Sequence, residues 1–317
     1  MKYGIALTTL AAVSLFTGGE AGAQTFQRPL RFVTTEPGGS GDFLARLLAK
    51  GMSGPVGQQV IVENRAGFLS IETVMRAQPD GHSMLVYSST LWIVPLIRND
   101  LSWNALRDFT PIALAMSTPT VLAVHPNVAA TNVRDLIALA KAKPGALNYA
   151  SSAAGSANHL AAELFKAMSG VNIVNVPYKG AGPALNALMA GEVQVMFPAA
   201  GSVAPHLQSG RIRGLAVASL KPSALLTGMP TVSETGLPGY ELVTVTGIFG
   251  PAGMNPKLVE RLNREIVTVV NEQETKERLL KSALEAVGGS AAQLAAAMKS
   301  ETAKFAKVIK DAGIRAE

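Results

Sequence analysis

Cysteine is absent from the 317-residue chain, which excludes a disulfide scaffold, a thiolate zinc site, an iron–sulfur centre and a cysteine nucleophile. Aromatic residues make up only 5% and the basic residues are scattered, so no stacking platform forms and nucleic acid is not an expected partner. Charged residues amount to 16% against 48% hydrophobic, which excludes a disordered tail and allows a substantial core. Beyond the N-terminal segment, no stretch approaches the ~20 apolar residues of a membrane span. The patterns H-E-x-x-H, Walker A, G-x-G-x-x-G and G-x-S-x-G are missing too, so no metal, cofactor or catalytic residue is expected. The net charge of +6 suits an anionic ligand and equally suits plain solubility.

The N-terminus reads as an export signal. Lys2 opens a short positive region, Ile5 to Phe16 is an apolar core, and Ala21-Gly22-Ala23 before Gln24 is an A-x-A-like cleavage site. Residues 1–23 are therefore expected to be removed and the remainder to reside in the periplasm. Further on, short β-rich runs alternate with helical patterns, which argues for α/β layers with mixed, mainly parallel sheets. Strands are expected at Leu30–Thr35, Val60–Glu63, Ser83–Ser88, Val121–Val124, Leu147–Ala150, Ile173–Val176, Val193–Phe197 and Ile212–Ala218. Helices are expected at Asp42–Met52, Val133–Ala142, Ala157–Met168, Pro183–Ala190 (with Pro183 at its first position), Pro256–Asn271, Lys276–Val287 and Ala291–Ala312.

Two strand-to-helix junctions stand out. In LNYASSAAGSANHLAAELFK at 147–166, a strand runs through small polar residues into an amphipathic helix, with Ser156 where an N-cap belongs. In LRFVTTEPGGSGDFLARLLAK at 30–50, Pro37-Gly38-Gly39-Ser40-Gly41 makes the same transition. The first turn of a helix presents unpaired N–H groups and partial positive charge, which attract carboxylate or phosphate. Both junctions are equally compatible with ordinary βα turns, which need small residues whatever they bind.

Many blocks in order point to one family. They include RPLRFV at 28–33, PGGSGDFLAR at 37–46, VIVENRAG at 60–67, PDGHSML at 79–85, ASSAAGSANHLAAELF at 150–165 and VPYKGAGPALNALMAGEVQVMF at 176–197, with further blocks at 210–219, 229–241 and 247–263. Over nearly its whole mature length the chain resembles the Bug proteins, the TctC-type receptors of tripartite tricarboxylate transporters. The resemblance implies a two-domain periplasmic-binding-protein fold of type II, a Venus flytrap with a central cleft. Crossovers near Val121–Pro126 and Val243–Pro251 give lobe 1 as 24–122 plus 246–317 and lobe 2 as 123–245. It also implies a monomer that captures a small carboxylate (a dicarboxylate, amino acid or aromatic acid) and hands it to permease subunits of TctA/TctB type.

The expected ligand contacts follow. Pro37, Gly38, Gly39 and Ser40 let the backbone approach the ligand, and Asp42 either caps its helix or receives a ligand hydroxyl or ammonium group. Ser151, Ser152 and Ser156 offer hydroxyl donors, and Gly155 through Asn158 offer amide N–H groups. His159, in the first helical turn, is expected neutral, as a ligand donor or a brace. Tyr178 and Lys179 end a strand, Lys179 either pairing with the ligand or remaining solvated; Ser88, Ser89, Pro198 and Ala199 complete the set. Phe68 and Leu69 replace a Gly-rich run usual in the family, and either wall the pocket or lie buried; Glu36 stands where the family carries an uncharged residue. A periplasmic sensor subunit is a second reading. A serine hydrolase built on Ser156 and His159 is a third, weakened because residues three apart on one helix do not make a nucleophile–base–orienter set.

Overall fold

The computed structural model describes residues 26–152 and 154–314; the expected signal segment lies outside them. Among the described residues, eleven strands and twelve α-helices follow in chain order: β1 Leu30–Thr34, α1 Ser40–Met52, β2 Val60–Asn64, α2 Leu69–Met75, β3 Ser83–Ser88, α3 Thr90–Ile93, α4 Ala105–Asp108, β4 Phe109–Pro119, β5 Val121–Val124 and α5 Val133–Ala142. Then come β6 Asn148–Ser151, α6 Ala157–Ser169, β7 Val174–Pro177, α7 Ala181–Ala190, β8 Val195–Met196, α8 Ala200–Gln208, β9 Arg213–Val217, α9 Val232–Thr235, β10 Val243–Pro251, α10 Pro256–Asn271, α11 Gln273–Lys281, β11 Glu285–Gly289 and α12 Ala291–Ala312.

Two sheets divide the strands. The first runs β11-β4-β10-β3-β1-β2 and the second β7-β6-β8-β5-β9. Strands β1, β2 and β3 are parallel to one another, as are β7, β6 and β8, whereas β10, β4, β11, β5 and β9 join antiparallel. The sheets are mixed, and the antiparallel pairs cluster where the chain crosses between lobes. Alternation along a strand sends side chains to opposite faces. In β1, Phe32 packs with Leu44 and Leu48 of α1, while Val33 packs with Ile71 and Val74 of α2. In β6, Tyr149 faces α6 and Ala150 faces α7 and α8.

Most expected helices and strands lie within two residues of their observed bounds, with three differences. Helix α7 starts at Ala181, so Pro183 is its third residue, not its first; Gly180 makes the entry turn with φ 109°. The expected helix Lys276–Val287 stops at Lys281, and β11 pairs instead with the edge of β4, Glu285 opposite Ser117. Local helix propensity yields there to an open sheet edge. The long strand β4 and the helices α2, α3, α4, α8 and α9 are not among the expected elements. At the turn that ends α11, Ala283 adopts φ 59°, the one non-glycine residue among those described in the left-handed region. That conformation costs an alanine about 1 kcal/mol relative to glycine.

Helix α12 ties the lobes together. Leu294, Met298, Phe305, Val308 and Ile309 enter a core that also takes Val33 and Leu85 from the first sheet and Leu122 and Tyr149 from the second. Its Lys304 Nζ donates to the Glu241 carbonyl at 3.0 Å, and Trp92 Nε1 donates to Glu301 Oε2 at 3.0 Å. Burial pushes the Glu301 carboxyl up to about 7, against the opposing pull of the Trp92 hydrogen bond and Lys304. A carboxyl raised in the folded state stabilises the fold below its unfolded pKa, and that stability is lost as pH rises to about 7. Glu301→Gln keeps an acceptor for Trp92 without the charge. It is expected to raise stability by roughly 2–3 kcal/mol at pH 8 and hardly at all at pH 4, measured by urea denaturation at both values.

Candidate ligand-binding site

Strand direction decides which loops meet. In the first sheet, β10 begins beside the end of β3: Thr246 lies opposite Ser88, and the Ser89 N–H donates to the Val245 carbonyl at 2.8 Å. In the second, β5 begins beside the end of β8: the Val121 N–H donates to the Pro198 carbonyl at 2.8 Å, and Thr120 bridges Ala199. Thr120 Oγ1 donates to the Leu242 carbonyl at 3.1 Å, joining the two crossovers. Both sheets therefore present their carboxyl ends to the crossover, and the loops after β1, β2, β3, β6, β7 and β8 face one cleft. Open α/β sheets bind ligands outside such strand ends.

Side-chain caps are unevenly distributed, and α9, at the crossover end of β9, is capped by Thr231. Helices α5, α10 and α12 follow strands that run away from the cleft, and Asn132, Asn255 and Ser290 each accept a first-turn N–H. Helices α1, α3, α6, α7 and α8 follow strands that run toward it, and none has a side-chain cap hydrogen bond. Their N-cap residues are Gly39, Ser89, Ser156, Gly180 and Ala199. A missing cap costs a helix about 1 kcal/mol, so leaving five on one side favours a ligand that supplies the acceptors. Sequence reading found the ends of α1 and α6 and missed those of α7 and α8 as anion-ready ends. Gly180 and the small residues of Pro198–Gly201 were the available signal.

In lobe 1, Pro37, Gly38, Gly39 and Ser40 are exposed on the loop, as a contact surface requires. Asp42 is buried and committed: Oδ2 accepts from the Gly38 N–H and Arg46 Nε, both at 3.0 Å, and Oδ1 from Asn64 Nδ2 at 2.9 Å. It braces the loop, and both of its oxygens are hydrogen-bonded within the lobe. Burial alone would raise its pKa, but the Arg46, Gly38 and Asn64 hydrogen bonds outweigh that and hold it at about 2. Glu36 is spent likewise, accepting from the Gly67 N–H at 2.9 Å. Phe68 packs edge-on against Trp103 at 4.9 Å under Arg98, and Leu69 is exposed, so the pair is not one apolar wall. Ser88 Oγ hydrogen-bonds Thr90 Oγ1 at 2.7 Å, and Ser89 is buried.

In lobe 2, one side-chain oxygen organises the loop. Asn158 Oδ1 accepts from the Ser152 N–H at 3.2 Å, from Ser152 Oγ at 3.0 Å and from Ser156 Oγ. Asn158, buried and close, takes the hydroxyl hydrogens of both Ser152 and Ser156. Ser151 Oγ is different, being fully buried with no hydrogen-bond partner among the described residues. The Gly155 N–H donates to His159 Nδ1 at 3.1 Å, which requires a neutral ring with its hydrogen on Nε2. Burial lowers the pKa of His159 and keeps it so. His159 is thus a brace. Glu163 Oε1 accepts from Tyr149 Oη at 2.6 Å and Lys166 Nζ at 2.7 Å, pinning α6 onto β6. Tyr178 is half-buried with its N–H on the Ser151 carbonyl, Lys179 is exposed, Pro198 is buried and Ala199 exposed.

A model of the tripartite tricarboxylate transporter family receptor, TctC, matches residues 44–314. The chain belongs to that family. A UPF0065 protein in the tcbD–tcbE intergenic region of Pseudomonas sp. (strain P51) is 36% identical over 287 residues, covering 89% of this chain and 85% of the relative. Protein BugT of Bordetella pertussis is 30% identical, with 96% and 98% covered. Among solved structures, R. palustris Rpa4515 with adipate is 32% identical with a TM-score of 0.72, covering 92% of this chain and 99% of that one. MatC from Rhodopseudomonas palustris with bound malate is 26% identical with a TM-score of 0.69, covering 90% and 100%. TctC proteins are solute receptors, and the two-lobed periplasmic-binding-protein fold read from the sequence is the fold observed.

The Asp42 brace of this TctC receptor is testable through pH. A carboxylate depressed in the folded state contributes stability above its unfolded pKa of 3.8 and loses it as pH falls to about 2. Asp42→Asn is expected to cost about 1–2 kcal/mol at pH 7, allowing for screening of the exposed Arg46. The gap to wild type should close between pH 4 and pH 2 in urea melts.

Proposed function

We propose that this TctC receptor is exported after removal of residues 1–23, captures a small carboxylate between its lobes and presents it to TctA/TctB-type permease subunits. Lobe 1 is taken as the residues up to Thr120 with those after Leu242, following the sheets, and lobe 2 as the span between. The observation that carries the reading is the convergence of five helix N-termini without side-chain caps, from both lobes, on one cleft. Anion-ready edges on opposite sides suit a molecule with a carboxylate at each end. The adipate and malate held by the two Rhodopseudomonas relatives are such molecules.

The contacts assigned to the ligand are the backbone around Pro37–Ser40, Ser88 and Ser89, the 151–156 loop with the orphan Ser151 hydroxyl, and the 178–180 and 198–199 turns. Asp42, Asn158 and His159 hold those loops in shape. Charge-assisted hydrogen bonds contribute roughly 1.5–3 kcal/mol each, so a handful reaches the ~8 kcal/mol of micromolar binding after association entropy. The hydrolase reading has little support: the Ser156 hydroxyl is turned to Asn158 and His159 Nδ1 is occupied by Gly155, so the two form no nucleophile–base pair.

A thermal-shift panel of C4 to C8 dicarboxylates and matching monocarboxylates tests this. An acid at 100 times its Kd should add about 2.7 kcal/mol of stability. Ser156→Leu, which puts a bulky side chain at the mouth of α6, should abolish the shift while leaving the unliganded melting midpoint within a few degrees. Wild-type protein indifferent to every acid in the panel would overturn the reading.

A further inference from the structure

Two residues far apart in sequence carry each other's expected side chain. Gly201 is the second residue of α8, where helix formation favours alanine. Ala283 sits in the left-handed turn after α11, where α6, α7 and α12 use Gly170, Gly191 and Gly313. They meet across the lobes: a Cβ built on Gly201 falls on the Ala283 methyl, with Ala283 Cα and O at 3.5 and 3.6 Å. The Ala283 turn is closed by Leu284 N–H to Leu279 O at 2.9 Å, so its backbone is fixed. Two residues on, Glu285 Oε1 accepts from Ser223 Oγ at 2.5 Å and the Ala224 N–H at 2.9 Å, a second bond to lobe 2. Beside the α12 contacts, lobe 1 thus reaches lobe 2 through a short, rigid turn.

We infer that the Ala283 methyl, seated on the bare first turn of α8 at Gly201, is a mechanical stop that sets how closely the lobes approach. Because α8 starts directly after the cleft residues Pro198 and Ala199, the stop also sets the span available to the ligand, making Ala283 and Gly201 positioning residues for acid length. The paired departures from the usual residue are explained together: the alanine accepts a strained backbone to place its methyl, and the glycine leaves room for it. A second bare point lies at Gly155, where a Cβ would strike Ile97 of lobe 1. The ligand part of the inference rests on the carboxylate-receptor reading; the stop itself does not.

An exchange of the methyl tests it. Wild type, Gly201→Ala, Ala283→Gly and the double variant are each labelled through Lys141→Cys and Arg264→Cys, one per lobe, which the cysteine-free chain makes selective. Spin-label distances should lengthen in Gly201→Ala, stay near wild type or shorten in Ala283→Gly, and return to wild type in the double variant. Calorimetric titration with adipate and with malate should show at least tenfold weaker binding for Gly201→Ala and recovery in the double variant. Should Gly201→Ala not fold, recovery of folding in the double variant carries the same conclusion. Unchanged distances in Gly201→Ala, or no rescue by Ala283→Gly, would overturn the stop. If the distances follow the cycle but wild type binds neither acid, the stop stands and the proposed ligand class loses support; a flat cycle in a protein that binds them has the opposite meaning.

Discussion

The direction in which strands run relative to the crossover is the constraint on which the binding geometry depends. Because β3 and β8 end beside the starts of β10 and β5, the two sheets cannot point their carboxyl ends anywhere but toward each other. Every loop that follows a parallel strand inherits that orientation, and so does the partial positive end of the helix after it. Helices α5, α10 and α12 satisfy a first-turn N–H with an Asn or Ser side chain, and α1 and α6 do not.

The polar side chains around the cleft mostly act on the protein. Asp42, Glu36, Asn158 and His159 each hold backbone or side-chain groups of the neighbouring loop. A carboxylate such as Asp42 next to an anionic guest would repel it, and the Gly38, Arg46 and Asn64 bonds neutralise and occupy its oxygens. In the proposed site, recognition then falls mainly to backbone amide, preorganised by those braces, with the Ser88, Ser89 and Ser151 hydroxyls beside it. Amides bind a carboxylate without the desolvation penalty of a buried lysine or arginine, and they discriminate by shape more than by charge.

Much of this was legible from residues alone because the signals were local. Helix α12 from Ala291 to Ala312 and helix α10 from Pro256 to Asn271 follow from periodicity. The α1 and α6 junctions follow from small residues between an apolar run and an amphipathic one. What was not legible depends on partners distant in sequence. Residues 285–287 read as helix until the exposed edge of β4 captures them. Asp42 and His159 read equally as ligand contacts or braces, and only the positions of Asn64, Arg46 and the Gly155 amide separate the two. The opening of α8 carries no polar residue to draw notice, since its contribution is backbone.

Helix α12 has one more consequence. Its apolar face is shared between both sheets, so neither lobe owns a complete core. Excising the second lobe at Thr120 and Leu242 would leave Val308 and Ile309 without their packing against α6, and the excised piece would show water the matching face. The two halves are therefore thermodynamically joined: melting one strips the other, and the molecule should come apart in a single transition.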